Sequence, residues 1–105
     1  MVQKIIWTKQ AQNNLVEIKN YIALDSLYYA KRIIYFIYQS CNQLISHPEI
    51  GLLLYKQDNF LLHRILVKKY RVIYTIYSGN IYIIAVYHQS RILPTKVDVP
   101  SSLFE

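Results

Sequence analysis

A chain of 105 residues, of which 53% are apolar, is long enough for one folded domain and too apolar for a disordered tail. We therefore expect residues 1–105 to form a single domain. The longest unbroken apolar run, residues 81–87, is much shorter than the about twenty residues that span a membrane, and no charged and apolar leader opens the chain. We expect a soluble protein of the cytoplasm that contacts no membrane.

Positive charge is concentrated in one segment of the chain. The net charge is +6, and residues 61–96 contain no acidic residue but six basic ones, namely Arg64, Lys68, Lys69, Arg71, Arg91 and Lys96. A basic field of this kind attracts a phosphate backbone or an acidic protein and speeds association with either. Surfaces that serve solubility alone usually mix both signs. The charge pattern therefore favours a large anionic partner over a small metabolite.

Several classes of active site are excluded by what the sequence lacks. Cys41 stands alone, so neither a disulfide within the chain nor a cysteine zinc cluster can form. Two glycines do not make a phosphate-binding loop, and neither paired carboxylates nor a metal cage is apparent. We expect no metal site and no cofactor, and we expect Cys41 to be a small core residue.

The first half of the chain predicts a strand followed by two helices. Residues 2–7 are apolar and β-rich, and Thr8 is a favoured helix N-cap. The first helix is expected to end near Asp25, and the second to begin at Ser26 and end before Pro48. Their short connection predicts an antiparallel hairpin. The residues spaced to face the core are Ala11, Leu15, Ile18, Ile22, Leu27, Ala30, Ile34, Ile37, Cys41 and Leu44.

The second helix has more apolar residues than one buried stripe requires. Four large side chains lie off that stripe, namely Tyr29, Ile33, Tyr35 and Phe36. An exposed apolar face of this kind marks a protein partner, whereas a deeper core would bury the same residues. Both interpretations stay open at this point.

The second half of the chain predicts a meander of three strands. Residues 52–59 are rich in polar side chains and are predicted to be a loop. Residues 60–67, 70–77 and 81–88 then show the period of two that is typical of strands, with tight turns between them. The tail from residue 92 is predicted to be irregular. The expected fold is α+β, in the order β-α-α-β-β-β, with the helical hairpin packed on one face of a small antiparallel sheet.

Turns of two residues each would bring Arg64, Arg71 and His88 to one face of the sheet. Two guanidinium groups beside an imidazole can clamp a phosphate and move a proton near neutral pH, as in a ribonuclease that uses the 2′-hydroxyl of its substrate. The same groups serve equally as a basic docking surface without chemistry. A turn of three residues would flip the last strand and remove His88 from this face.

The order of these features is similar to a known family. Trp7-Thr8 opens the first helix, Pro48-Glu49-Ile50-Gly51 ends the second, and Tyr70-Arg71-Val72-Ile73-Tyr74 and His88-Gln89-Ser90-Arg91 follow, with Pro94 after them. Residues 2 to about 94 thus resemble the ParE/RelE superfamily of bacterial toxins from type II toxin–antitoxin pairs. The resemblance implies a cognate antitoxin whose extended segment covers apolar grooves of the toxin, with Tyr29, Ile33, Tyr35 and Phe36 as candidate contacts.

The resemblance implies one of two activities. RelE-like toxins cut messenger RNA on the ribosome, whereas ParE-like toxins inhibit DNA gyrase by binding. Arg64 and Arg71 match basic positions of the RelE-like branch, but Leu62 and Gln89 replace its lysine and its late arginine. The ParE-like interpretation is favoured, with target contacts at Arg64, Lys68, Lys69, Arg71, His88 and Arg91. The alternatives are a RelE-like ribonuclease that uses His88, Arg71 and Arg64, and a degenerate member that only binds the antitoxin.

Overall fold

The computed structural model describes residues 4–91, which form a five-stranded sheet with two helices packed on one face. In chain order the elements are β1 (Ile5–Trp7), α1 (Lys9–Ala23), α2 (Leu27–Asn42), a short 3-10 helix (Gln43–Ile45), β2 (Leu52–Gln57), β3 (Phe60–Val67), β4 (Tyr70–Tyr77) and β5 (Asn80–His88). The strand order in the sheet is β1-β5-β4-β3-β2. The α+β prediction is confirmed, and the predicted irregular tail from residue 92 lies outside the described residues. None of the helices within residues 4–91 combines the length and the apolar character that a membrane crossing requires.

The sheet differs from the prediction in two respects. Residues 52–59, predicted to be a loop, contain β2, which pairs antiparallel with β3 from Leu52 opposite Arg64 to Gln57 opposite Phe60. The loop prediction was wrong because an apolar Leu-Leu-Leu-Tyr run begins the segment, and only Asp58 and Asn59 form the turn that follows it. The sheet is also mixed rather than purely antiparallel, since β1 runs parallel to β5.

Thr8 joins helix α1 to the sheet. Its buried hydroxyl accepts from the amide of Ala11 (3.2 Å) and donates to the carbonyl of Ile83 (2.8 Å), with the carbonyl oxygen of Ile84 at 3.2 Å. Ser26 caps α2, where its hydroxyl accepts from the amide of Tyr29 at 3.1 Å. Both predicted caps are confirmed, and only the first one also bonds to the sheet.

We expect Thr8→Val to lower the free energy of unfolding by about 2 kcal/mol, because α1 loses its cap and a buried carbonyl of β5 loses a donor. Ser26→Ala is the matched control, since it removes a cap alone and should cost about 1 kcal/mol. Urea unfolding of the two variants measures the difference. Equal losses would show that the bonds from Thr8 to β5 contribute nothing.

The main core lies between the helices and the sheet. The predicted core residues Ala30, Ile37 and Cys41 of α2 are fully buried, and so is Leu44 of the 3-10 helix that follows. Ile33 is only 3% exposed, whereas Leu27 is 53% exposed and Ile34 is half-buried, so the buried stripe passes through Ile33 instead. Both stripes fit a helical period, and the adjacent isoleucines are equally apolar, so the sequence does not distinguish them. Burial also raises the pKa of Cys41 to about 12, as fits a core thiol.

The opposite face of the sheet, which we call the second face, is apolar as well. Its buried cluster consists of Phe60, Leu62, Ile73, Ile84, Ala85 and Tyr87, flanked by Leu54, Tyr55, Tyr77 and Tyr82. Strands that are buried on both faces have nearly continuous apolar sequences, and this explains the composition of β4 and β5.

Candidate functional site

Five of the predicted target contacts gather at one end of the sheet, which we call the basic end: Lys68, Lys69, Arg71, His88 and Arg91. The β3–β4 turn lies beside the end of β5, because the amide of Gln89 donates to the carbonyl of Lys69 at 2.7 Å. Lys68 adopts a φ of 57°, which closes this turn over two residues, as predicted. Residues 59–91 contain no acidic residue, so this turn and these strand ends bring only positive charge to the basic end. Glu17 of α1 is an acidic residue in the groove that His88 and Arg91 line.

The register of the strands separates His88 from the two arginines. Arg64 lies opposite Ile73 and Arg71 lies opposite Leu66, so both arginines point to the second face, as predicted. His88, however, lies opposite Tyr70, whose side chain faces the helices. The predicted convergence of His88 with Arg64 and Arg71 is therefore wrong.

A bulge in β5 is the reason. The β4–β5 turn consists of Ser78 and Gly79, with φ of 52° and 78°. With this two-residue turn and no irregularity in β5, His88 would lie on the same face as Arg71. In the observed pairing Ile73 lies opposite Ala85 but Tyr74 lies opposite Ile83, so β5 contains one extra residue between these two pairs. A shift of one residue moves every later side chain to the opposite face, so His88 points toward the helices.

Arg71 holds the end of the sheet in place. Its guanidinium donates to the carbonyl of Gln89 (2.7 Å) and to the carbonyl of Arg91 (3.3 Å). The guanidinium of Arg91 in turn lies 4.7 Å from the ring centroid of Tyr87. Such cation–π contacts favour one orientation of the cation. Arg71 thus positions Arg91 in addition to contributing its own charge.

His88 is an exposed side chain in a groove between α1 and β5. Its Nδ1 accepts from the amide of Ser90 at 3.1 Å, so in the neutral ring Nε2 carries the proton. The ring meets Tyr70 edge to face, with 5.3 Å between centroids. The groove has a volume of about 430 Å³ and is lined by Asn14, Glu17, Ile18, Tyr21, Tyr70, Val86, Tyr87, His88, Ser90 and Arg91.

The three residues predicted for a ribonuclease are not brought together on one face of the sheet. A phosphate held by Arg64 and Arg71 on the second face would be separated from His88 by the sheet itself. The thiol of Cys41 is fully buried, and its raised pKa keeps it protonated at neutral pH. Within residues 4–91 no group of side chains could hold a metal ion.

The candidate antitoxin contacts on α2 divide into two groups. Tyr29 and Tyr35 are 54% and 58% exposed, and Phe36 is half-buried, so all three are accessible. Ile33 belongs to the core, so its prediction as a surface contact is wrong. The candidates chosen from the sequence did not include the exposed Tyr28, although it lies eight residues before Phe36 and therefore on the same side of α2.

The class of the protein follows from the fold and from a match to a family model. Residues 5–93 match the family described as ParE toxin of type II toxin–antitoxin system, parDE. The chain belongs to this family and is a ParE-like toxin, which confirms the resemblance seen in the sequence. A solved structure, the chromosomal ParDE TA system from P. aeruginosa, has the same fold, with a TM-score of 0.68 and 15% sequence identity over 84% of this chain and 96% of that chain. None of the curated proteins matches this chain.

Proposed function

We propose that this toxin inhibits DNA gyrase by binding it through the basic end, and that a cognate antitoxin neutralises it. The observation that carries the proposal is the position of His88, on the opposite face of the sheet from Arg64 and Arg71, in a member of the ParE family. Cleavage of RNA needs a proton-transfer group within hydrogen-bonding reach of the reacting atoms. Inhibition by binding needs only a surface of complementary shape and charge.

The charge of the basic end supports the part of the proposal that concerns the target. Lys68, Lys69 and Arg91 are exposed, and no acidic residue lies between residues 59 and 91. Gyrase in complex with DNA offers a strongly anionic partner. Long-range attraction between such surfaces raises the association rate, and salt screens it.

We expect Lys69→Glu to weaken binding to immobilised gyrase by about tenfold at low salt, mainly through a slower association rate. Lys69 is exposed, so the fold should be unaffected. Lys19→Glu on α1 is the matched control, since it makes the same change of charge at an exposed site away from the basic end. Surface plasmon resonance at two salt concentrations measures both variants. Equal losses would show that only the net charge matters.

The exposed side of α2 supports the part of the proposal that concerns the antitoxin. Tyr29, Tyr35 and Phe36 leave large aromatic surfaces accessible on one helix, and such surfaces mark protein partners. The solved relative from P. aeruginosa is a toxin–antitoxin system. We place the antitoxin on this side of α2. We also propose that the whole chain is one domain and that it acts in the cytoplasm.

A further inference from the structure

Rings and cations alternate along the outer side of α2. Tyr28, Arg32 and Phe36 follow one another at intervals of four residues, or about 6 Å per step along the helix axis. The guanidinium of Arg32 lies 5.7 Å from the ring centroid of Tyr28 and 5.3 Å from that of Phe36. From the β3–β4 turn, the ammonium of Lys68 lies 4.5 Å from the ring centroid of Phe36. These cation–π distances hold the cations against the rings.

A shallow cavity of about 370 Å³ lies along this row, and we call it the α2 cavity. Its lining consists of Tyr28, Lys31, Arg32, Tyr35 and Phe36, so every side chain in it is either an aromatic ring or a cation. Tyr28 is 70% exposed and Tyr35 is 58% exposed, which leaves their rings open to a ligand. Neither α2 nor residues 59–91 contain an acidic side chain that would repel an anion.

This lining selects among ligand classes. Grooves that bind an amphipathic peptide helix are hydrophobic, and the α2 cavity has no aliphatic residue. Accessible rings next to cations are the two components of sites for single-stranded nucleic acid, where bases stack on the rings and phosphates meet the charges. A duplex keeps its bases stacked inside and would offer the cavity its phosphates alone.

We propose that the α2 cavity binds single-stranded nucleic acid. A base stacks on Tyr28 or Tyr35, and the neighbouring phosphates contact Lys31, Arg32 and Lys68. The inference goes beyond the proposed function. The α2 cavity shares the nearby Lys68 with the basic end, and it shares Tyr35 and Phe36 with the surface on which we place the antitoxin.

Fluorescence anisotropy with labelled oligothymidylate of about twelve nucleotides tests the proposal. We expect the full chain to bind this probe at low salt, with a slope of about −2 in log affinity against log salt if three phosphates are neutralised. Tyr28→Ala and Tyr35→Ala should each weaken binding by about tenfold, because each removes a stacking surface. Tyr21→Ala is the matched control, since Tyr21 is 76% exposed on α1 and outside the cavity, and it should leave binding unchanged. Circular dichroism confirms that the exposed substitutions leave the fold intact.

Three results would overturn the proposal. The first is no binding of the probe at low salt, and the second is binding that survives both Tyr28→Ala and Tyr35→Ala. The third is displacement of the probe by polyglutamate of equal charge as readily as by unlabelled oligothymidylate, which would assign the cavity to an acidic peptide. Measuring the binding of Tyr28→Ala to gyrase separates the two proposals. A variant that no longer binds the probe but still binds gyrase would show that the nucleic-acid site is the α2 cavity and not the basic end.

Discussion

We expect Gly51→Ala to lower the free energy of unfolding by about 3 kcal/mol, which is large for the addition of one methyl group. A Cβ atom at Gly51 would overlap the hydroxyl of Tyr74 and lie 2.8 Å from the carbonyl oxygen of Arg64. Tyr74 is fully buried, and Arg64 contributes backbone of a paired strand, so neither atom can move away without disturbing the sheet.

The expected loss of stability is large because the hydroxyl of Tyr74 bonds the segment before β2 to the sheet. Its hydroxyl accepts from the amide of Gly51 (3.0 Å) and donates to the carbonyl of Pro48 (2.9 Å). Burial raises the pKa of Tyr74 above its usual value, so the hydroxyl keeps its proton at neutral pH and remains a donor. An alanine at position 51 would push this hydroxyl away from both partners, and each lost bond costs about 1 kcal/mol.

Gly79→Ala is the matched control. Gly79 has a φ of 78°, but no atom lies within 4 Å of the position of an added Cβ. Alanine there should cost about 1 kcal/mol through backbone strain alone. Urea unfolding monitored by tryptophan fluorescence compares the two variants. If Gly51→Ala were no more destabilising than Gly79→Ala, the crowding around Tyr74 would be without consequence.

Ile33→Asp is expected to leave the toxin largely unfolded at 25 °C. Ile33 is only 3% exposed in the main core, and an unpaired carboxylate there would cost roughly 4 kcal/mol or more, a large part of the stability of a small domain. Far-ultraviolet circular dichroism and a thermal melt measure the effect. A folded Ile33→Asp variant would contradict the assignment of Ile33 to the core.

Tyr35→Asp serves as the control on the same helix. Tyr35 is 58% exposed, so its replacement should change the free energy of unfolding by only about 0.5 kcal/mol. If α2 is the surface that the antitoxin covers, this variant remains folded and binds the antitoxin more weakly. Wild-type affinity in the folded variant would place the antitoxin elsewhere on the toxin.

Local signals were sufficient for most of the fold. Thr8 and Ser26 satisfy free amides in the first turns of their helices, so their positions could be predicted without tertiary structure. The two-residue turn at Lys68-Lys69 likewise follows from the pattern of the flanking strands. Strand β2 was missed because it is an edge strand whose side chains are mostly exposed or half-buried. Such a strand tolerates polar residues, so the polar composition of residues 52–59 indicated a loop instead.

The site could be predicted only in part, because charge is a property of the sequence and the direction of a side chain is not. The basic residues were found from composition, but the face of His88 depends on the bulge in β5. Around that bulge α1 bonds to the backbone of β5, where the hydroxyl of Thr8 donates to Ile83 and the side-chain oxygen of Asn14 accepts from the amide of Val86 at 3.0 Å. These partners are more than seventy residues apart in the chain, so no local pattern predicts them.

A gyrase supercoiling assay, titrated with purified toxin freed from its antitoxin, tests the central claim most directly. We predict a dose-dependent loss of supercoiling that added antitoxin reverses. His88→Ala should weaken this inhibition only modestly, since His88 supplies one contact of the basic end and no chemistry in this account. A folded toxin that has no effect on supercoiling, but cuts ribosome-bound messenger RNA and loses about a hundredfold in rate on His88→Ala, would contradict the account and identify a ribonuclease instead.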